Sequence, residues 1–254
     1  MKKITLTTIL MLLMLSGTAL LPAIETNRAQ ELLTTLDEMK NFDETDLSAR
    51  MTMIVEDPEA AVVKNVVQQF RRDKEKTFLM LFQEPAVKKG QGYLQVDENL
   101  WFYDPESRQF SHTSMNDRFS DSEANNSDFQ RASLAEDYRV AKTGEGTLGK
   151  YQVDILYLEA TGNEVTYPFR TLWVAKAVPL ILKTADYSAG GRLLRTSYYP
   201  SYTKVGESSY LAATMIFVDE LIPGKKTTIT LTDISTRTIP DSVFTKAYVE
   251  RVNN

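Results

Sequence analysis

Strand patterns joined by short turns run through most of this 254-residue chain, and that succession limits its fold more than any other feature. "LSARMTMIV" (47–55) sets Leu47, Ala49, Met51, Met53 and Val55 against Ser48, Arg50 and Thr52, the period-two alternation of a half-buried strand. Segments 61–72, 76–83, 91–97 and 99–104 follow, and six more strand patterns come after residue 140. Thr161-Gly162-Asn163, Ala189-Gly190-Gly191 and Pro223-Gly224-Lys225 are plain turn signals between them. Sequential strands joined this way form an antiparallel meander. Ten or eleven strands are too many for a flat open sheet, so the expected fold is mainly β (α+β), one strongly curved antiparallel half-barrel.

"LWFYDP" (100–105) adds a condition. Leu100, Trp101, Phe102 and Tyr103 place large apolar groups on both faces of one strand, so both faces need cover. If Glu98-Asn99 is the turn before it, Leu94, Val96, Trp101 and Tyr103 share one face and Phe102 and Leu100 the other. The first face is expected to be the more deeply covered, continued by Met51, Met53, Phe78, Met80, Phe82, Tyr151, Val153, Ile155 and Tyr157 on neighbouring strands. Residues 26–42 predict an amphipathic helix capped by Thr26 or Asn27, with Ala29, Leu32, Leu33 and Leu36 on its apolar stripe. Such a helix is either packed on its own core or a movable lid. Residues 115–138 break the meander with a long polar insert anchored by Phe119 and Phe129, and such inserts are often functional.

The first 23 residues read as an export signal: Lys2 and Lys3, an apolar run from Ile4, and small residues at Gly17, Ala19 and Ala23. An uncleaved anchor is the alternative, since the run approaches spanning length. Residues 24–254 are then one domain. Without Lys2 and Lys3 the 29 basic residues fall to 27 against 34 acidic, a net charge of −7. That balance speaks against nucleic acid and against electrostatic capture by an anionic membrane. Cysteine is absent, which excludes disulfides, thiol chemistry and Cys-based metal sites. "MLSGT" (14–18) has Thr18 where a lipoprotein signal would place its cysteine, so the expected product is exported to the periplasm without a lipid anchor.

"GYLQVDENLWFYDPESRQF…NNSDFQRASLAEDY" resembles the LolA-like family of exported outer-membrane lipoprotein-sorting proteins, through Gly92, Leu100, Trp101, Tyr103, Pro105, Ser127, Asp128, Phe129, Glu136 and Asp137. The resemblance continues through 171–199 and 239–251. Asn125-Asn126 replaces the Met-Gly common before Ser-Asp-Phe, and Gln109 to His112 replaces a basic run. The resemblance implies an unclosed bent sheet with helices on its concave side and an apolar cavity for acyl chains of lipoproteins or lipids. It also implies an inner-membrane transporter and an outer-membrane acceptor as partners of a monomeric, non-enzymatic carrier. Burying an acyl chain of about sixteen carbons gains on the order of 10 kcal/mol, at about 0.8 kcal/mol per methylene.

The residues expected to line that cavity are Met51, Met53, Phe78, Met80, Phe82, Leu94, Trp101 and Tyr103, with Phe129 and Leu134 at its rim. Arg50 with Asp128 is the expected latch of the insert. A hydrolase using the same cavity and a structural envelope protein are the competing readings. His112 is the only histidine, no G-x-S-x-G elbow occurs, and the acidic clusters lack EF-hand spacing. No catalytic residue, cofactor or metal ligand is therefore assigned.

Overall fold

A computed structural model describes residues 24–207 and 209–253; the export signal expected at 1–23 lies outside the described residues. Thirteen strands form one antiparallel sheet, unclosed and strongly curved. The helix α1 (Thr26–Lys40) precedes β1 (Leu47–Glu56), β2 (Val63–Arg72), β3 (Thr77–Glu84), β4 (Gly92–Val96), β5 (Asn99–Asp104) and β6 (Gln109–Thr113). The short helix α2 (Leu134–Asp137) leads into β7 (Tyr138–Leu148), β8 (Tyr151–Ala160), β9 (Phe169–Ala175) and β10 (Ile181–Tyr187). Then come β11 (Leu193–Val205), β12 (Ser209–Asp219), β13 (Lys226–Ser235) and a C-terminal α3 (Lys246–Arg251). In space the order is β6-β5-β4-β3-β2-β1-β13-β12-β11-β10-β9-β8-β7.

Every neighbour in that order but one is also a neighbour in sequence; the exception joins β1 to β13. The chain therefore walks from the middle of the sheet to its β6 edge, crosses to the β7 edge, and walks back. The insert between β6 and β7 is that crossing, which explains its length. It has to span the sheet.

The strand count exceeds the ten or eleven expected because the two edge strands carry no alternating apolar signal. "QFSHT" of β6 and "YRVAKTGEGTL" of β7 are polar or glycine-bearing, as exposed edges commonly are. Part of β7 is covered by α1: the Gln30 amide donates to Tyr138 O at 3.1 Å and accepts from Val140 N at 2.9 Å. Ala29, Leu33 and Leu36 of α1 pack on Tyr138, Val140, Leu156, Leu158, Leu172 and Val174. Of the two readings of this helix, the structure shows the packed one. Its N-cap is Glu25 rather than Thr26 or Asn27, and it makes no side-chain capping bond.

The turn before β5 is Asp97-Glu98, with Val96 opposite Asn99 and Leu94 opposite Trp101. The expected register is thus displaced by two residues, which leaves every side chain on its expected face because the strand period is two. Asp97 takes the left-handed conformation, φ 54°, that a tight hairpin turn uses.

What covers the two faces differs from the expectation. Leu94 and Tyr103 pack with Leu79, Leu81, Ile239, Val243, Phe244 and Val249, so the C-terminal segment closes this outer, convex face. The Lys246 ammonium lies 3.3 Å from the Trp101 ring centroid, a cation–π contact on that side. Met51, Met53, Phe78, Met80 and Phe82 lie on the opposite face with Tyr93, Leu100 and Phe102. The reason is register: Phe78 pairs with Gln95 and Met80 with Tyr93, so neither shares a face with Leu94. In β8, Tyr151 and Tyr157 are exposed while Val153, Leu156 and Leu158 are buried, so the expected odd-numbered face holds only at its middle.

Removing the cover should expose the convex face. Phe244→Ala leaves a gap against Leu79, Leu81 and Leu94, and the expected loss is about 3 kcal/mol. Urea unfolding followed by tryptophan fluorescence measures it; a loss below about 1 kcal/mol would show that this segment is not part of the core.

Candidate functional site

The concave face is divided in two by the crossing insert. In its middle the chain fills its own hollow. Phe119 is fully buried, stacked on Phe82 with centroids 5.4 Å apart, and packed edge-on to Phe129 at 5.0 Å. Beneath them lie Met51, Met53, Val67, Met80, Ile229 and Leu231. These methionines are packed core beneath the insert rather than walls of an open space.

Beside this plug is a cavity of about 700 Å³, within the range of about 300–1,000 Å³ usual for small-molecule pockets. Its roof is α1 (Leu36, Met39, Lys40) and the insert from Ser127 to Tyr138. Its walls come from both halves of the sheet, with Phe78 and Leu100 on one side and Leu172, Ile181, Tyr199, Met215 and Phe217 on the other. Of the ten residues expected at the cavity, Phe78, Phe129 and Leu134 line it. Met51, Met53, Met80 and Phe82 are under the plug, and Leu94, Trp101 and Tyr103 are on the convex face.

The floor is charged, which the apolar periodicities did not foretell. Strand register aligns Arg170, Asp186 and Arg195 across β9, β10 and β11. Asp186, fully buried, accepts from Arg170 Nε at 2.7 Å and from Arg195 Nε at 2.9 Å. Arg195 also donates to both carboxylate oxygens of Asp128, at 2.6 and 3.1 Å. Its guanidinium is flanked by the rings of Tyr167 and Phe217, at 4.8 and 4.9 Å. A second pair, Arg71 with Asp73, closes the other end, where Asp73 also accepts from Phe42 N at 2.8 Å. The signal that could have found this row is Arg170, Asp186 and Arg195 at corresponding places on three successive strands, but recognising it requires the register.

The structure does not pair Asp128 with Arg50, the latch expected. Asp128 does hold the insert down, but its partner is Arg195. Arg50 points to the outer face of β1, where it lies 3.8 Å from the exposed Glu84. Strand alternation explains this: Ala49 and Met51 face inward, so Arg50 cannot. The Ser-Asp-Phe triplet now has a physical meaning at each residue. Asn125 N donates to Asp128 at 2.8 Å and sets its carboxylate, in a capping box at the start of a short 3-10 helix, Asn126–Phe129. Ser127 Oγ lies 3.2 Å from Thr166 Oγ1, and Phe129 is part of the plug. The Asp37 carboxylate of α1 accepts from the N–H groups of Leu134 and Ala135, each at 2.9 Å, and so caps α2 from outside.

His112 is exposed on β6 with its ring edge-on to Trp101 at 5.5 Å. Among the described residues no group of three or more His, Asp or Glu side chains is disposed to hold a metal ion.

Burial acts to raise the pKa of Asp128, but the charge and hydrogen bonds of Arg195, with the N–H of Asn125, outweigh it and hold the carboxyl below its ordinary value. A depressed acid stabilises the fold above its unfolded pKa, and that contribution fades as pH falls through the folded value. The latch should thus be intact from neutral pH down to about pH 4 and weaken below it. Asp128→Asn strands a buried guanidinium charge and should cost about 3 kcal/mol at pH 7. It should also flatten the acid limb of stability against pH, read by urea unfolding; an unchanged acid limb would place the titration elsewhere.

A family model described as "Uncharacterized protein" matches residues 74–251. Among solved structures, a LolA superfamily protein from Nitrosomonas europaea is 26% identical, with a TM-score of 0.73 over 87% of this chain and 98% of that one. A domain described as that of an outer membrane lipoprotein-sorting protein, from Vibrio parahaemolyticus, is 20% identical with a TM-score of 0.79, over 89% of this chain and 100% of that one. A DUF1329 family protein from Desulfovibrio piger is 20% identical with a TM-score of 0.77, over 88% and 98%. No curated protein matches the chain. The family model spans more than half of the chain, and the fold agrees with that of a LolA superfamily protein over nearly its whole length: the chain belongs to the LolA-like family.

Proposed function

We propose that this protein is a non-enzymatic periplasmic carrier that binds the acyl chain of a lipoprotein or lipid in the cavity between α1, the insert and the concave face of the sheet. The observation that carries the reading is the cavity itself. At about 700 Å³ it is roofed by elements that are tied down by side chains rather than sheet hydrogen bonds. Met39, Leu172, Leu180, Ile181, Met215 and Leu231 supply apolar wall for a tail. The export signal at 1–23 and the absence of cysteine support delivery to the periplasm without a lipid anchor. Handover would involve an inner-membrane donor and an outer-membrane acceptor, and the carrier would act as a monomer.

Binding of about sixteen carbons would release on the order of 10 kcal/mol before ordering costs, by the same per-methylene figure as above. A polar floor limits how much of that is realised, because a tail gains nothing against the ion-paired arginines. Affinity held in check suits a protein that must release what it binds.

Native mass spectrometry of the mature protein, purified from a periplasm or incubated with palmitate and a diacylated lipopeptide, tests the reading. The expected result is one acyl ligand per chain, and Met215→Trp, which places an indole in the cavity, should abolish uptake with the thermal transition retained. A wild-type protein that takes up neither ligand would remove the carrier reading.

A further inference from the structure

Lys40 is the basic residue of the last turn of α1, and it lines the cavity. The arginines around it are all matched: Arg71 has Asp73 at 2.5 Å, Arg170 has Asp186 at 2.7 Å and Arg195 has Asp128 at 2.6 Å. Lys40 has no carboxylate within 4.0 Å and makes no hydrogen bond among the described residues. Asp37, one turn earlier, already spends both oxygens on Leu134 and Ala135. Burial and the neighbouring Arg71 charge push the pKa of Lys40 below its ordinary value, only partly offset by Asp128 and Asp37. The carbonyl end of α1 supplies partial negative charge at most. Lys40, half-buried at the cavity wall, lacks a counter-charge among the described residues, and an ammonium partly withdrawn from water favours one.

A second, independent observation concerns Thr184. It lines the same cavity, is 1% exposed, and its hydroxyl has no partner. Ser197, opposite it across β10 and β11, is equally buried and equally unpartnered. Buried hydroxyls are usually satisfied, so this wall is short of a polar ligand atom.

We propose that the cavity receives an amphiphile with a single anionic head, a carboxylate or a phosphate, and that the head is bound inside against Lys40 while the tail lies along Met39, Leu180, Ile181 and Met215. This rests on the carrier reading and narrows its cargo to acidic amphiphiles. The head completes a charge set in which every arginine is already paired. A neutral ester of the same length fills the same space and leaves Lys40 unmatched.

Displacement of a fluorescent fatty acid from the full mature chain, by palmitate, hexadecyl phosphate, methyl palmitate and inorganic phosphate, tests the proposal in wild type, Lys40→Met and Lys40→Arg. Wild type should bind the two acidic amphiphiles at least about tenfold more tightly than the methyl ester, about 1.4 kcal/mol. Lys40→Met should erase that preference without weakening the ester, and Lys40→Arg should restore it. Equal wild-type affinity for acid and ester overturns the proposal and leaves the carrier reading standing. So does a preference that survives in Lys40→Met. Inorganic phosphate competing as well as hexadecyl phosphate would mean a site for a free anion, and also overturns it. Failure of every amphiphile to bind removes the carrier reading itself. The acid-to-ester comparison in wild type decides the matter even if Lys40→Met does not fold.

Discussion

The contact between Asp128 and Arg195 is the constraint on which the concave side depends. A sheet that starts in its middle and ends in its middle must carry the chain once from edge to edge. That crossing has few sheet hydrogen bonds of its own; one isolated bridge joins Arg118 to Asn125. It is held instead by a bidentate ion pair in a nearly dry setting, with the carboxylate aimed by Asn125 and the guanidinium by Asp186, Tyr167 and Phe217. A buried ion pair adds little net stability over a well-packed apolar contact, but breaking one side of it is costly. Its contribution here is position: it fixes where the insert lies, and so where Phe119 and Phe129 enter.

Those two aromatic rings determine what the concave face can do. They fill the centre of the curve against Met51, Met53 and Phe82, and leave space only toward α1. The concave side therefore has a solid apolar middle and an adjacent chamber with a charged floor. Besides the apolar packing of α1, the roof is held by polar ties: Asp37 joins its two parts, and Gln30 to β7 and Asp128 to Arg195 join it to the sheet. Each of these is a side-chain hydrogen bond or ion pair, of a kind that can open without unravelling the sheet.

The two faces of "LWFYDP" are covered differently. The face of Leu100 and Phe102 looks into the concave core, and the face of Trp101 and Tyr103 is covered by the chain's own residues 239–249. Alternation revealed that both sides of the strand were covered. It could not say by what, because the covering segment is about 140 positions away in sequence and pairs with no strand. Met51, Met53, Met80 and Phe82 were recognisable as inward-facing for the same reason, but whether an inward residue meets ligand or the chain's own insert depends on where the insert lands. The polar edge strands β6 and β7 carry no apolar alternation because an edge has one neighbour and need not be apolar.

What the amino-acid sequence determined by itself is the antiparallel order, the strong curvature, the amphipathic character of α1, the long insert and the LolA-like pattern. All of these rest on local periodicity, turn residues and short motifs. Only the tertiary structure decided which arginine meets Asp128, which face of the sheet is hollow, and that Lys40 stands in the hollow without a partner among the described residues. Charge pairing across strands depends on register, and the Asp128–Arg195 contact joins residues 67 apart; neither leaves a periodic trace in the chain.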